Sequence, residues 1–323
     1  MAPSAKAVRF YHEAPEVTDF RDEVLRGLAQ EPRHIPPKFF YDRRGSELFD
    51  KICELPEYYI PRVETGILRG CAREVARLIG PGCMLVELGS GASRKVRLVL
   101  EALRPEAYVG VDISREFLLQ STQRLARDYP WLEVHAACAD LCRPLTISDR
   151  PRRRRRLAFY PGSSIGNFEP EAARAFLHDL RALLGLDGAL LIGVDLKKDS
   201  ALLHAAYNDA AGVTAAFNLN LLARLRRELD AEVEPAGFAH RAFYDEAAGR
   251  IEMHLVSRCR QHIGIDGTQF AFDAGEAIHT ENSYKYSVAE FHTLAASAGF
   301  HTVRTWTDPD QLFSVHYLEV GQD

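Results

Sequence analysis

The segment ELGSGAS, residues 87–93, follows a short apolar run from Met84 and precedes a helical pattern that reaches Leu103. A glycine-rich turn between a strand and a helix brings the main chain close to a ligand, because glycine has no Cβ and tolerates positive φ. The turn does not match the dinucleotide fingerprint, since Arg94 stands where its third glycine is required, and the phosphate-loop pattern is absent. The segment therefore predicts a βα unit with a ligand-binding turn.

The alternation of strands and helices continues on both sides of this unit, which predicts a parallel sheet and a Rossmann-like α/β fold. The expected strands are Tyr108–Asp112, Leu132–Ala136, Leu157–Pro161 and Leu190–Val194, and the expected helices include Glu64–Ile79 and the stretch from an N-cap at Ser114 to Tyr129.

The alternation of strands and helices ends after Asp195. Two helical stretches there are followed by short segments of alternating apolar and polar residues, which indicate an inserted α+β lobe. The core resumes with a helix over Ser287–Ala298 and a closing strand pair. The lobe segments are Ser200–Ala210, Val213–Leu229, Phe238–Tyr244, Ile251–Arg258 and Gln269–Phe272, and the closing strands are Thr302–Trp306 and Phe313–Leu318.

Acidic side chains follow three successive strands of the predicted sheet. Glu87 precedes the glycines, Asp112 lies 21 residues past Gly91, and Asp140 follows the third strand. Open α/β sheets bind ligands at the carboxyl ends of their strands, where Asp112 can accept ribose hydroxyls and Asp140 an adenine amino group. An acid beside the turn would repel a pyrophosphate but suits the cationic methionine end of S-adenosylmethionine. The pattern favours an S-adenosylmethionine-dependent methyltransferase.

A competing pattern is GSSIG at residues 162–166, which fits the G-x-S-x-G nucleophile elbow of serine hydrolases, with Ser164 as nucleophile. No HGGG-like oxyanion segment precedes it, and Pro170 places the next helix later than a tight elbow allows. The hydrolase stays open as the less favoured alternative, and a non-catalytic S-adenosylmethionine-binding protein is a third.

Composition restricts the partners. The 323 residues carry 40 Lys and Arg against 45 Asp and Glu, a net charge of −5 that argues against nucleic acid. No signal peptide or membrane span is evident, so we expect a cytoplasmic protein that does not bind membranes, and a monomer.

Six cysteines without a C-x-x-C pair predict no metal. The arginines at 152–156 are interpreted as a solvated connector, with a nucleic-acid patch as the alternative.

Motifs along nearly the whole chain make it similar to the histidine Nα-methyltransferases of ergothioneine biosynthesis, which form hercynine. The motifs are PKFFYD at 37–42, GSELFD at 45–50, LPEYY at 55–59, ELGSG at 87–91, GSSIGN at 162–167, RIEM at 250–253 and TENSYK at 280–285.

The resemblance implies a class I methyltransferase core with S-adenosylmethionine as methyl donor and free L-histidine as acceptor. It assigns 61–195 and 287–323 to the core, and 1–60 and 196–286 to a substrate-binding lobe. The expected product is the trimethylated betaine hercynine.

The resemblance also implies the residues of the site. Donor contacts are expected from Glu87, Gly89, Gly91, Lys95, Asp112 and Asp140. Acceptor contacts are expected from Tyr58, from Asn167 and Tyr207 at the carboxylate, from Gly162 near the amine, and from Met253, Glu281 and Ser283 around the imidazole. Tyr41, also near the amine, is the catalytic candidate, since its hydroxyl can relay the proton that the ammonium must lose before each transfer.

Specificity is expected to rest on Glu281, whose carboxylate can accept an imidazole N–H, with Ser283 serving the other ring nitrogen. Indole offers only one such donor. A related branch of the family acts on tryptophan, so another aromatic amino acid is the alternative substrate. Asn282, at the alternate position of an extended segment, is expected to point away.

Overall fold

A computed structural model describes residues 8–12, 18–91, 93–143 and 154–321 of the chain. The described residues form two compact units. The core unit contains the chain around Arg9–His12, Ile60–Lys197 and the chain from Lys285 onward, and the lobe unit contains the chain from Thr18 to Tyr59 and Lys198–Tyr284.

The elements alternate as predicted through the core and change character in the lobe. The helices are α1 (Thr18–Leu28), α2 (Arg43–Ile52), α3 (Ile60–Ile79), α4 (Val96–Leu103), α5 (Arg115–Asp128), α6 (Pro170–Leu184), α7 (Ser200–Tyr207), α8 (Val213–Leu229) and α9 (Val288–Ser297). The strands are β1 (Arg9–His12), β2 (Met84–Leu88), β3 (Ala107–Asp112), β4 (Glu133–Cys138), β5 (Arg156–Tyr160), β6 (Ala189–Asp195), β7 (Phe238–Asp245), β8 (Arg250–Ser257), β9 (Gln261–Ile265), β10 (Thr268–Phe272), β11 (Ala277–Tyr284), β12 (Phe300–Thr307) and β13 (Phe313–Val320). Short 3-10 turns lie at Pro37–Phe40, Ser164–Asn167 and Pro235–Gly237.

The core unit is built on one eight-stranded sheet in the order β1-β4-β3-β2-β5-β6-β13-β12. Strands β2 to β6 pair in parallel, and β13 runs antiparallel between β6 and β12. From β2 the chain proceeds outward through β3 and β4, then returns to add β5 and β6 on the other side. The strand order therefore reverses between β2 and β5, which confirms the predicted Rossmann-like core and its closing strand pair.

Strands β2 and β6 lie at the centre of this sheet, and every residue of both is buried. A parallel strand covered on both faces reads as a continuous apolar run, which is the pattern that made these segments predictable. Helix α3 packs against α4 and strand β13, and α5 packs against β3 and β4. The sheet thus holds the ends of β2, β3, β4 and β5 in fixed positions.

Strand β1 differs from the sequence-based division, which placed all of residues 1–60 in the lobe. It pairs in parallel with β4, from Arg9 opposite His135 to His12 opposite Cys138. Val8 and Phe10 pack against the buried cluster of Leu118, Ala136 and Cys138. Because an unpaired edge of β4 would expose its main-chain hydrogen-bonding groups, β1 caps that edge.

The lobe unit is an α+β arrangement, as predicted. Its three-stranded antiparallel sheet has the order β11-β8-β7, and β9 and β10 form a separate antiparallel hairpin. Helix α8 packs against α2 and against β7 and β8. The sequence did not predict β9 or β11. In β11 the polar run TENS at residues 280–283 hides the alternation of a strand.

The prediction of a solvated arginine connector is wrong for the part of that run which the structure describes. Arg154 pairs with Glu106 at 2.7 Å and Arg155 with Glu319 at 2.6 Å, and their side chains are only 28% and 31% exposed. Arg156 donates to the carbonyl oxygen of Leu183. These contacts anchor the start of β5, while residues 152 and 153 lie outside the described chain.

Among the helices of the described residues, none combines the length and the apolar character that crossing a membrane requires.

Candidate active site

The glycine turn after β2 has the conformation that its sequence predicts. Gly89 and Gly91 have φ of 67° and 46°, and a Cβ placed on Gly89 would meet nothing within 4 Å. The Gly91 N–H donates to Asp112 Oδ2 at 2.8 Å, and the Ser114 N–H donates to Oδ1 at 2.9 Å. Asp112 is thereby fixed beside the turn. A carboxylate has about four lone-pair positions, so both oxygens can still accept hydroxyls.

Asp140 follows β4, is 6% exposed, and accepts the Cys142 N–H at 2.9 Å. The residues that directly follow Asp140 line a mostly apolar cavity. Its lining includes the apolar residues Leu88, Leu141, Cys142, Phe168, Phe176 and Leu183, together with the charged residues Arg143 and Asp179. Apart from its position next to the GSSIGN motif, Phe168 gave no signal in the sequence that it would line a cavity.

Glu87 lies at the end of β2, but its carboxyl group is 2% exposed and accepts a hydrogen bond of 2.5 Å from the Tyr108 hydroxyl. Burial raises the pKa of Glu87 to about 8. The raised pKa favours the uncharged carboxyl near neutral pH, which weakens the expected attraction between its charge and a sulfonium. A donor contact by Glu87 stays a prediction, with support of the turn as the role visible in the structure.

Lys95 forms an ion pair with Glu64, a residue of α3 that the sequence analysis missed. Both Glu64 oxygens also accept the Gly162 N–H, at 2.9 and 3.1 Å. A signal was present in the sequence, because Glu64 lies on the apolar face of α3 between the buried Ile60 and Leu68, where an acid is rare unless paired.

The GSSIGN segment does not form a nucleophile elbow. Positive φ is found at Gly162 and Ser163, and the Ser164 hydroxyl bonds to the Pro161 carbonyl oxygen at 3.3 Å. Helix α6 starts only at Pro170, after a 3-10 turn that ends at Asn167. A hydrolase elbow requires strain at the serine itself and an immediate helix. The hydrolase alternative is therefore not supported.

In the lobe unit, Met253 lies in the middle strand β8 and is 1% exposed. Its direct cross-strand neighbours are Glu281 of β11 and Ala242 of β7. Directly opposite residues in an antiparallel pair project to the same face. The structure thus brings Met253 and Glu281 together on one face of the sheet.

Ser283 lies two residues beyond Glu281 and therefore on the same face. Its hydroxyl accepts a hydrogen bond of 2.8 Å from the Tyr207 hydroxyl of α7. The Tyr207 ring is in turn in edge contact with Tyr58, at 6.1 Å between centroids. Two residues predicted to contact the acceptor, Tyr207 and Ser283, are thus directly bonded.

Tyr58 is buried, and burial together with the proximity of Tyr207, Glu281 and Tyr41 raises its pKa well above the usual value. Its phenol stays neutral at physiological pH. The Tyr41 ring contacts Phe49 and Phe217 edge-on, at 5.6 and 5.9 Å. Six predicted acceptor residues therefore lie in the lobe unit, whereas Gly162 and Asn167 belong to the core unit.

Asn282 pairs with Glu252 and so belongs to the alternate face of the sheet. On that face the ligand atoms of Glu252, His254 and His279 lie within 4.8 Å of one another, the one such group among the described residues. Arg250 and His254 already bond the two oxygens of Glu252, at 2.6 and 2.9 Å. The carboxylate charge is balanced within the protein, and the cluster reads as an ion-pair network.

Comparison with known proteins gives the family. The profile of the SAM-dependent, histidine-specific methyltransferases matches residues 20–320. The histidine N-alpha-methyltransferase of Mycobacterium tuberculosis is 42% identical over 294 residues, which cover 89% of this chain and 91% of that protein. The protein of the same name from Mycolicibacterium smegmatis is 40% identical, with coverage of 90% and 91%.

A more distant relative is larger. Ergothioneine biosynthesis protein 1 of Neurospora crassa is 33% identical over 308 residues, which cover 89% of this chain but only 33% of that protein. The match over nearly the whole chain, together with the reversed strand order and the glycine turn, shows that this chain belongs to the family of histidine-specific, S-adenosylmethionine-dependent methyltransferases.

Proposed function

We propose that this enzyme transfers three methyl groups in succession from S-adenosylmethionine to the α-nitrogen of free L-histidine, giving hercynine and S-adenosylhomocysteine. The observation that carries the proposal is the placement of Glu281 directly opposite Met253, with the bonded pair Ser283 and Tyr207 beside it. One carboxylate and one hydroxyl beside the apolar side chain of Met253 suit a small ring with two nitrogen atoms.

The core unit offers a donor site of matching chemistry. The Gly89 turn leaves room for a ligand, Asp112 retains acceptor positions for ribose hydroxyls, and Asp140 borders an apolar cavity that suits an adenine ring. We propose Gly89, Gly91, Lys95, Asp112 and Asp140 as the donor residues. The donor supplies an electrophilic methyl group on a sulfonium, and the protein supplies its position.

In the lobe unit we propose that Glu281 accepts an imidazole N–H in a charge-assisted bond, while Ser283 bonds the second ring nitrogen. The Ser283 hydroxyl accepts a hydrogen bond from Tyr207, and a serine hydroxyl also carries one proton, which we propose it donates to an unprotonated ring nitrogen. This arrangement selects a neutral imidazole with one N–H and one lone pair.

Methyl transfer requires an amine with a free lone pair aligned with the carbon–sulfur bond, so positioning accounts for most of the catalysis. We propose that Asn167 and Tyr207 hold the carboxylate as neutral donors, with the single Tyr207 hydroxyl proton turning from Ser283 to the carboxylate when histidine binds, so that no second cation is placed near the sulfonium. Tyr41 is proposed to pass the ammonium proton to solvent. We propose that Tyr58 lines the acceptor site as a neutral hydrogen-bonding side chain, since its raised pKa keeps the phenol protonated.

The relatives support the acceptor, since two of them carry the name histidine N-alpha-methyltransferase and a third is an ergothioneine biosynthesis protein. The monomeric state and the cytoplasmic location expected from the sequence stay predictions, which light scattering and cell fractionation test.

The experiment is incubation of the enzyme with methyl-labelled donor and each of the twenty amino acids in turn. We expect label in histidine alone, with mass spectrometry showing a gain of three methyl groups at the α-nitrogen. Label in tryptophan instead, or no label in histidine, would contradict the proposal.

A further inference from the structure

The loops that follow the central strands β2 and β5 are joined by one side chain from outside both, Glu64 of α3. These two strands are neighbours, and the strand order of the sheet reverses between them. Open α/β sheets bind their ligand at this point. Glu64 thus contacts both walls of the proposed donor site without belonging to either.

The burial of Glu64 shows that this place is built for a carboxylate. The side chain is 1% exposed, and an unpaired charge at such a position would be strongly unfavourable. Two groups compensate its charge, the Lys95 ammonium and the Gly162 N–H at 2.9 Å. Gly193 leaves the room for the carboxylate, since a Cβ there would lie 2.1 Å from Glu64 Oε1. Gly193 lies in the fully buried strand β6, so its lack of a side chain serves the carboxylate.

The ion pair has a consequence for charge at the donor site. The Lys95 side chain is 22% exposed and precedes α4, at the end of the loop that contains Gly89 and Gly91. Its ammonium would repel a nearby sulfonium, and the effective repulsion between two charges a few ångström apart inside a protein is large. Glu64 cancels this positive charge while it fixes the direction of the Lys95 chain.

We infer that Glu64 is a positioning residue that neutralises Lys95 and orients the Gly162 loop, and so lets the enzyme bind the cationic donor in preference to its neutral product. The inference rests on the proposed donor site but not on the identity of the acceptor. S-adenosylmethionine and S-adenosylhomocysteine share their carboxylate, ammonium, ribose and adenine, and they differ in the methyl group and charge on sulfur. Their affinity ratio therefore reports the charge near the sulfur.

The test measures the dissociation constants of both ligands by calorimetry, without acceptor, for the full-length protein and for Glu64→Gln. The amide keeps an acceptor for the Gly162 N–H but leaves Lys95 uncompensated. We expect the preference for S-adenosylmethionine over S-adenosylhomocysteine to fall by at least about tenfold, because at an effective dielectric of about 20 two unit charges closer than about 12 Å repel by more than a tenfold change in affinity. An unchanged ratio would overturn the inference.

A second variant reverses the sign and guards against loss of folding in the first. Lys95→Met leaves Glu64 as an uncompensated anion, so the preference for the sulfonium is expected to rise, and the double variant is expected to return toward the wild-type ratio. A mere structural role predicts equal losses for both ligands in every variant, which would overturn the inference.

The matched control is Glu74→Gln. Glu74 lies on the same helix and also forms an ion pair, with Arg304 at 3.0 Å, but its side chain is 33% exposed. Its ratio of dissociation constants for the two ligands is expected to stay at the wild-type value.

If the wild-type protein binds both ligands but does not methylate histidine, the proposed acceptor is wrong, and the ratio of dissociation constants still decides the role of Glu64. If the wild-type protein binds neither ligand, the proposed donor site and this inference are both wrong.

Discussion

The Thr280 hydroxyl lies 3.0 Å from the carbonyl oxygen of Met253, at a β-bulge in the pairing of β11 with β8. On one side of the bulge His279 faces His254, and on the other Glu281 faces Met253. If the regular pairing continued past His279, Thr280 would pair with Met253 and Glu281 with Glu252, and the Glu281 side chain would lie on the opposite face. The bulge therefore turns Glu281 toward the face that carries Met253 and Ser283.

Removing the Thr280 hydroxyl is expected to weaken this arrangement. Thr280→Val keeps the shape of the side chain but loses its bonds to the Met253 carbonyl and to Asn218 Oδ1, at 2.9 Å. We expect a loss of about 1–3 kcal/mol in the free energy of unfolding, as for a buried acceptor left unpaired. The KM for histidine should rise while the dissociation constant of S-adenosylmethionine stays unchanged. Equal effects on both ligands would show that the bulge does not orient Glu281.

Replacing the carboxylate itself tests the acceptor site directly. For Glu281→Gln we expect the KM for histidine to rise by roughly 10- to 100-fold, because a hydrogen bond to a charged group contributes about 1.5–3 kcal/mol. Steady-state kinetics give the KM, and calorimetry with S-adenosylmethionine should show unchanged donor binding.

The control for Glu281 is Glu252→Gln, one strand away on the alternate face of the same sheet. It should leave the KM for histidine within about twofold of wild type once folding is verified by circular dichroism. A similar rise in both variants would mean that Glu281 acts through the stability of the sheet.

Much of the architecture could be predicted from periodicity, and the failures have physical causes. Helix α8 matches its predicted bounds, Val213–Leu229. Its apolar residues recur at helical spacing, a glycine precedes its first residue and an aspartate follows its last. Strand β11 was missed because its sequence is largely polar, and the bulge at Thr280 breaks the alternation that identifies a strand. A shift in strand register cannot be predicted from the local pattern of apolar and polar residues.

The site shows the same division. The glycine turn and Asp112 were recognisable, because strand ends and their spacing are local features. Glu64 stood out only as an acid on an apolar helix face, and its role could not be predicted because its partners Lys95 and Gly162 lie 31 and 98 residues away. The burial that raises the pKa of Glu87, and its hydrogen bond from Tyr108, depend on tertiary packing and have no local sequence signal.

The bond between Tyr207 and Ser283 predicts non-additive effects. Tyr207→Phe and Ser283→Ala each remove the 2.8 Å hydrogen bond, and each is expected to raise the KM for histidine several-fold. Because the two side chains share one interaction, the double variant should lose less than the sum of the single losses in free energy, with a coupling of about 0.5–3 kcal/mol. Strict additivity in the double-mutant cycle would contradict a joint role.

The buried carboxyl of Glu87 predicts a pH-dependent stability. Its pKa is about 8 in the folded protein against 4.5 as the reference, so between these values the folded state holds a proton that the unfolded chain has released. The free energy of unfolding should fall across this window by up to about 1.4 kcal/mol per pH unit from this group. Glu87→Gln should lose that dependence.

The measurement for Glu87 is urea unfolding of wild type and Glu87→Gln at pH 5.5, 6.5 and 7.5, since the difference between the two proteins cancels the titration of other groups. We expect the variant to gain stability relative to wild type at each step upward. The control Glu116→Gln changes an exposed residue at the start of α5 and should show a constant difference. A constant difference for Glu87→Gln would contradict the raised pKa.

The glycines of the core unit offer a final pair of opposite predictions. Gly66 and Gly70 are exposed within α3, and a Cβ at either would meet nothing within 4 Å, so alanine at each should add about 0.5–1 kcal/mol to the free energy of unfolding. Gly193→Ala should instead cost about 1–3 kcal/mol and weaken S-adenosylmethionine binding, because its methyl group displaces the Glu64 carboxyl. Thermal unfolding and donor calorimetry on the three variants test this contrast. Wild-type donor binding by Gly193→Ala would show that the strand yields to the methyl group and that Glu64 keeps its place.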